Sequence, residues 1–148
     1  MKMLIILWTV VFGAISSLPI SSPYRLTSFW SGDELGTGSR TGSGLGEANF
    51  IPNEFGWLTY EGKLVLAGPT EELLRTGYDI RRPHRHYFRY YDEVRVRIDG
   101  LWYDGIILDS CGACMWVRED RLDLFVANKE SAIDRGYKGA NMIEVLKK

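Results

Sequence analysis

Val94-Arg95-Val96-Arg97-Ile98-Asp99-Gly100-Leu101-Trp102-Tyr103-Asp104-Gly105-Ile106-Ile107-Leu108 is the stretch that decides the class of fold. Its first five residues alternate apolar and charged, the pattern of a strand with one face buried and one wet. Asp99-Gly100 is a two-residue hairpin signal, because both positions accept the positive φ of the favoured turn. A return strand over Leu101 to Leu108 follows. Upstream, Gly56 to Tyr60 and Lys63 to Ala67 flank Glu61-Gly62 as a second hairpin, and Tyr24 to Trp30 is rich in strand-favouring residues. Downstream, Leu122 to Val126 and Met142 to Leu146 read as further strands.

Helical signals are short. Pro69 opens a helix with Glu71 and Glu72 in its first turn, Arg75 near its end and Gly77 as its stop. Asn128 caps another that Gly136 ends. Gly32 to Gly46 holds six glycines in 15 residues and reads as a loop. It is not a phosphate loop, since Thr41 stands where the second glycine belongs and no Gly-Lys-Ser/Thr occurs. Short strands with single-turn helices point to an all-β protein, a small closed barrel.

Composition agrees. The 148 residues are 45% hydrophobic and 25% charged, which suits one globular domain and excludes a disordered tail or a fibre. A net charge of −1 supplies no field for nucleic acid. Two cysteines cannot build a dense disulfide framework.

The N-terminus reads separately. Lys2 precedes an apolar run from Leu4 to Ile15, about a dozen residues, which suits a signal-peptide core and falls short of the ~20 needed to span a bilayer. Residues 1–17 are therefore expected to be a signal peptide or an uncleaved membrane anchor, with residues 24–148 forming an exported domain of the cell envelope or medium. Any membrane association would come through that segment alone.

The order of the C-terminal half carries a resemblance. A strand ends in Ile107-Leu108-Asp109, the small-residue loop Ser110-Cys111-Gly112-Ala113 follows, and then Arg121-Leu122-Asp123-Leu124-Phe125. A helix containing Ala132 and Gly136 and a strand containing Glu144-Val145 complete it. This resembles the 3D (Asp-Asp-Asp) domain of membrane-bound lytic transglycosylases of the A type and their Gram-positive relatives. The resemblance covers best Tyr90 to Leu146. Thr27-Ser28-Phe29-Trp30 is similar to the family's opening strand, and Thr41-Gly42-Ser43-Gly44 to its Thr-small-Gly turn. Two of the three aspartates match; Ala67-Gly68-Pro69 has no acid where the family carries one, and the loop after Asp109 is longer.

The resemblance implies a six-stranded double-psi β-barrel and a cofactor-free muramidase that cuts MurNAc–GlcNAc bonds of peptidoglycan. Glycosidases usually need two carboxyl groups. A lytic transglycosylase needs fewer, because the muramic acid's own 6-hydroxyl is the nucleophile and one acid can give and then retake a proton. By resemblance that acid is Asp123, with Asp109 orienting it or stabilising the sugar's developing charge. Leu122 and Leu124 should face one side of their strand, Asp123 and Phe125 the other. Thr27 and Thr41 fall on the family's binding positions. A non-catalytic wall-binding or structural barrel, possibly phage-encoded, is the alternative.

Cys111-x-x-Cys114 admits a local disulfide, a zinc site completed by His84 and His86, or a redox pair. Export favours the disulfide, and no metal is expected. The run from Arg81 to Tyr91 interleaves arginine with aromatic rings. That pattern serves single-stranded nucleic acid elsewhere, but here it suits sugar rings on Tyr90 and Tyr91. Trp57 and Trp102 read as core, and Trp116, beside the aspartates, as a sugar platform.

Overall fold

The computed structural model describes residues 20–30, 41–77, 84, 86–116, 120–132 and 142–145. The expected signal or anchor segment, Gly136, and Arg81, Arg82, Pro83 and Arg85 of the basic run lie outside them. Among the described residues the protein is all-β, with one helix longer than a single turn. No helix there is long and apolar enough to cross a membrane.

The strands in chain order are β1 (Ile20–Pro23), β2 (Arg25–Phe29), β3 (Ile51–Pro52), β4 (Leu58–Tyr60) and β5 (Lys63–Gly68). After helix α1 (Glu71–Arg75) come β6 (Glu93–Ile98), β7 (Leu101–Ser110), β8 (Arg121–Phe125) and β9 (Met142–Val145). They form one nine-stranded sheet in the order β1-β9-β6-β7-β5-β4-β3, and β8 leaves this path to bridge β5 and β2. Nine strands stand where six were expected. The unforeseen β1 and the two-residue β3 are the ends of that path, and each holds a proline, which an edge strand tolerates. Backbone groups of their neighbours recruit them, with no alternation of their own to announce them.

Local chemistry sets most of the other boundaries. Glu61 and Gly62 turn β4 into β5 with φ of 49° and 77°, and Asp99 and Gly100 turn β6 into β7 with 50° and 83°. Both are the primed turns that match strand twist. The Thr70 side chain caps α1 by accepting from the Leu73 N–H. Asn128 caps only one turn, Lys129–Ser131.

β5 and β7 run parallel, as do β2 and β8, while β5 and β8 are antiparallel. A strand with neighbours on both sides and packing on both faces has no wet face, so β5 reads Leu64-Val65-Leu66-Ala67 without alternation. Leu64 and Leu66 join one core with Leu26, Val94, Val96, Ile107, Leu122 and Leu124. Val65 and Ala67 join the other with Phe50, Ile106, Leu108 and Phe125. Leu122 and Leu124 thus face away from Phe125, as the alternation of β8 requires. Trp57 is buried, but Trp102, expected in the core, is 37% exposed with the Arg95 guanidinium 5.0 Å from its ring. It pairs with exposed Arg97 on the face of the β6–β7 hairpin opposite buried Val94, Val96 and Ile98, and the Arg95 cation covers its ring instead.

Candidate active site

The centre of the site is a residue without chemistry of its own. Ala67 on β5 pairs with Asp123 on antiparallel β8 and with Asp109 on parallel β7, so the two aspartates flank one small side chain. A β-bulge makes this possible. Leu66 pairs with Ile107 and Ala67 with Asp109, so Leu108 is passed over. Bulges re-aim the side chains beyond them. Asp109, Asp123, Ala67, Cys111, Phe29 and Phe125 then line one cavity of about 230 Å³.

Asp123 is nearly buried, at 9% exposure. Its Oδ1 accepts from the Thr27 hydroxyl and from Arg121 Nη2 at 3.1 Å. Arg121 Nε also donates to Thr27 Oγ1 at 2.8 Å, closing a three-residue network. Register explains it: Thr27 lies beside Asp123 across the β2–β8 pair, and Arg121, two residues earlier on β8, projects to the same face. The other oxygen, Oδ2, lies 3.1 Å from Cys111 Sγ.

Asp109 is held differently. Its Oδ1 accepts the N–H of Gly42 at 2.8 Å and of Ser110 at 2.9 Å. Burial raises its proton affinity above the usual carboxylate range, and those two N–H groups oppose the shift in part. Gly42 is required where it stands, because a Cβ there would run into the Tyr90 hydroxyl and ring. Tyr90 in turn hydrogen-bonds Ser110 Oγ at 2.7 Å, and Ser110 Oγ meets Thr70 Oγ1 at 2.6 Å. The turn is fixed by Thr41, whose hydroxyl meets Ser43 Oγ at 2.7 Å and the Leu45 carbonyl at 3.0 Å.

Of the residues expected from the sequence, the fold therefore brings together Asp123, Asp109, Thr27 and Cys111. Thr41 and Tyr90 stand one layer behind, supporting Asp109 through Gly42 and Ser110. Tyr91, 42% exposed, and Trp116, 43% exposed, lie outside the cavity lining. Tyr91 has a φ of 71° and donates its N–H to Ile107, so its place is set by the approach to β6. Of the site residues that the sequence did not single out, two could have been read from it. Arg121 was readable as the i−2 neighbour of Asp123, and Phe29 as the i+2 neighbour of Thr27. Phe29 is 43% exposed, and its ring centre lies 4.9 Å from that of Phe125.

Cys111 and Cys114 are joined as a disulfide, with their Cα atoms 5.2 Å apart. His84 and His86 are elsewhere: His84 Nδ1 lies 3.5 Å from Asp120, and His86 packs 4.7 Å from the Phe88 ring. Among the described residues the cysteines group with Asp123 and not with the histidines. Compared with family models, curated proteins and solved structures, the chain matches none.

Proposed function

We propose that this chain is an exported double-psi β-barrel of the 3D-domain type that cleaves peptidoglycan as a lytic transglycosylase. The observation that carries the reading is the pair of aspartates flanking Ala67 in one cavity. The two parallel pairs, β2–β8 and β5–β7, support the barrel part of the proposal.

In this reading Asp123 is the general acid and base at the MurNAc–GlcNAc bond. Its proton goes to the bridging oxygen as the bond from C1 to that oxygen breaks. The same carboxylate then takes the proton of the 6-hydroxyl as that oxygen closes on C1, leaving a 1,6-anhydro sugar and no net proton change. Arg121 and Thr27 fix Oδ1 and leave Oδ2 for the exchange. Asp109, whose burial favours the protonated form, faces the same sugar and shares in orienting it. Phe29 on the rim offers a face on which a pyranose ring stacks. The chemistry asks for no cofactor or metal.

A second reading, a non-catalytic wall-binding barrel, draws support from the ion pair itself. Asp123 already faces a guanidinium at 3.1 Å, and no acid stands at residues 67–69. A zymogram on purified peptidoglycan with wild type and Asp123→Asn separates the two. An enzyme clears the gel only with Asp123 intact. A binding module clears it in neither case and sediments with peptidoglycan in both.

A further inference from the structure

We infer that the Cys111–Cys114 disulfide is a redox gate on Asp123: oxidised, it leaves Oδ2 free for proton exchange, and reduced, the Cys111 thiol caps that oxygen. The inference rests on the glycan-cleaving reading above and concerns how that same site is regulated.

The two oxygens of Asp123 have unequal surroundings. Oδ1 is saturated by Thr27 and Arg121. Among the described residues, the polar contact of Oδ2 at hydrogen-bond distance is Cys111 Sγ, at 3.1 Å. A disulfide sulfur carries no hydrogen and donates nothing, so Oδ2 keeps its lone pairs for a ligand in the cavity. A thiol at the same place is a donor aimed at a carboxylate, and hydrogen bonds to a charged acceptor are the stronger kind. Cys114 N–H already donates to Cys111 Sγ at 3.1 Å and would hold that sulfur in position once the bond is cut.

The change needs a co-reactant, and a dithiol supplies it. Two electrons and two protons pass from the dithiol. Its own sulfurs join, the Cys111–Cys114 bond breaks, and each cysteine sulfur takes one proton. Both cysteines are buried, but Cys111 lines the cavity and Cys114 does not, so a thiolate entering the cavity meets Cys111 first. Stapling alone is a poor account of the pair. The cysteines are three residues apart, and so short a closure restricts the unfolded chain least. The location against a carboxylate, in the cavity wall, is what the gate explains.

Glycan release from purified peptidoglycan is measured for the full chain with and without dithiothreitol. Reduction should slow release by about tenfold or more, since a capped general base loses its function. The double variant Cys111→Ala/Cys114→Ala, with neither bond nor thiol, should lose the redox dependence and give the same rate with and without dithiothreitol. Cys111→Ser/Cys114→Ala keeps a donor and should be slow in both. Equal wild-type rates in both redox states would overturn the gate and leave the catalytic reading standing. So would an alanine pair, folded by circular dichroism, that dithiothreitol still slows. No release in any redox state would overturn the catalytic reading itself and the gate with it.

A readout independent of turnover is the rate at which iodoacetamide alkylates Cys111 in the reduced protein. A carboxylate in contact disfavours the thiolate, so Asp123→Asn should speed alkylation by about tenfold. An unchanged rate would contradict the contact on which the gate depends.

Discussion

Asp123 and Asp109 differ in what surrounds them, and the difference sets what each does when changed. Asp123→Asn keeps the volume and the hydrogen bond from Thr27, so the fold should persist in a thermal melt. Loss of the transferable proton should cut glycan release by about a hundredfold to ten-thousandfold. For Asp109 the pH dependence is the sharper test. Its proton affinity is raised in the folded state, so the native protein binds more protons than the unfolded chain in that window. Its stabilising contribution is complete below the ordinary aspartate pKa and is lost as pH rises through the raised native value. Urea titrations across the acid range should show wild type losing stability relative to Asp109→Asn as pH rises; a constant difference would contradict the shift. Both aspartates were legible in the sequence only through family resemblance. Arg121 needed no resemblance, since period two on a strand places it beside Asp123. What the sequence lacks is any sign that this arginine turns to the carboxylate and not to solvent.

At the scale of elements, the turn over residues 41–44 is the one whose conformation reaches the site. Gly42 delivers its N–H to Asp109 while the Tyr90 hydroxyl occupies the space an added Cβ would need. Gly42→Ala should therefore displace that turn, costing about 1–3 kcal/mol in chemical denaturation, as overpacking does. Glycan release should fall further than the stability loss explains, because the Asp109 carboxylate loses a donor. An alanine variant with wild-type release would mean that Asp109 needs no support from the turn. The hairpins, the capped helix and β8 were readable from turn chemistry and alternation. The bulge was not. Ile106-Ile107-Leu108 is apolar without a break, and a run buried on both faces gives no alternation from which to read its register. The pairing of Asp109 with Ala67 hangs on that register. The sequence therefore named the aspartate without showing what it faces. The edge strands β1 and β3 were hidden for a related reason: pairing with neighbours creates them, not their own side chains.

For the molecule as a whole, the two cores are inseparable, because β5 sends Leu64 and Leu66 into one and Val65 and Ala67 into the other. Unfolding should then be a single cooperative transition. Leu124→Ala, in the first core, and Leu108→Ala, in the second, should each lower that one transition by about 2–5 kcal/mol. Two separable transitions in urea, each sensitive to one variant only, would contradict a shared sheet. The proposed export of the domain is checked by intact mass. The protein should be recovered from the envelope or medium, and a full-length species confined to the soluble cytosol would refute it. In the proposed function, Asp123 drives cleavage by a nucleophile internal to the glycan. Mass spectrometry of sugars released from purified peptidoglycan by the oxidised protein tests it most directly. The released chains should carry 1,6-anhydromuramic ends, one water lighter than a hydrolysis product, that vanish with Asp123→Asn. Reducing ends, or no released sugar from folded protein, would contradict it.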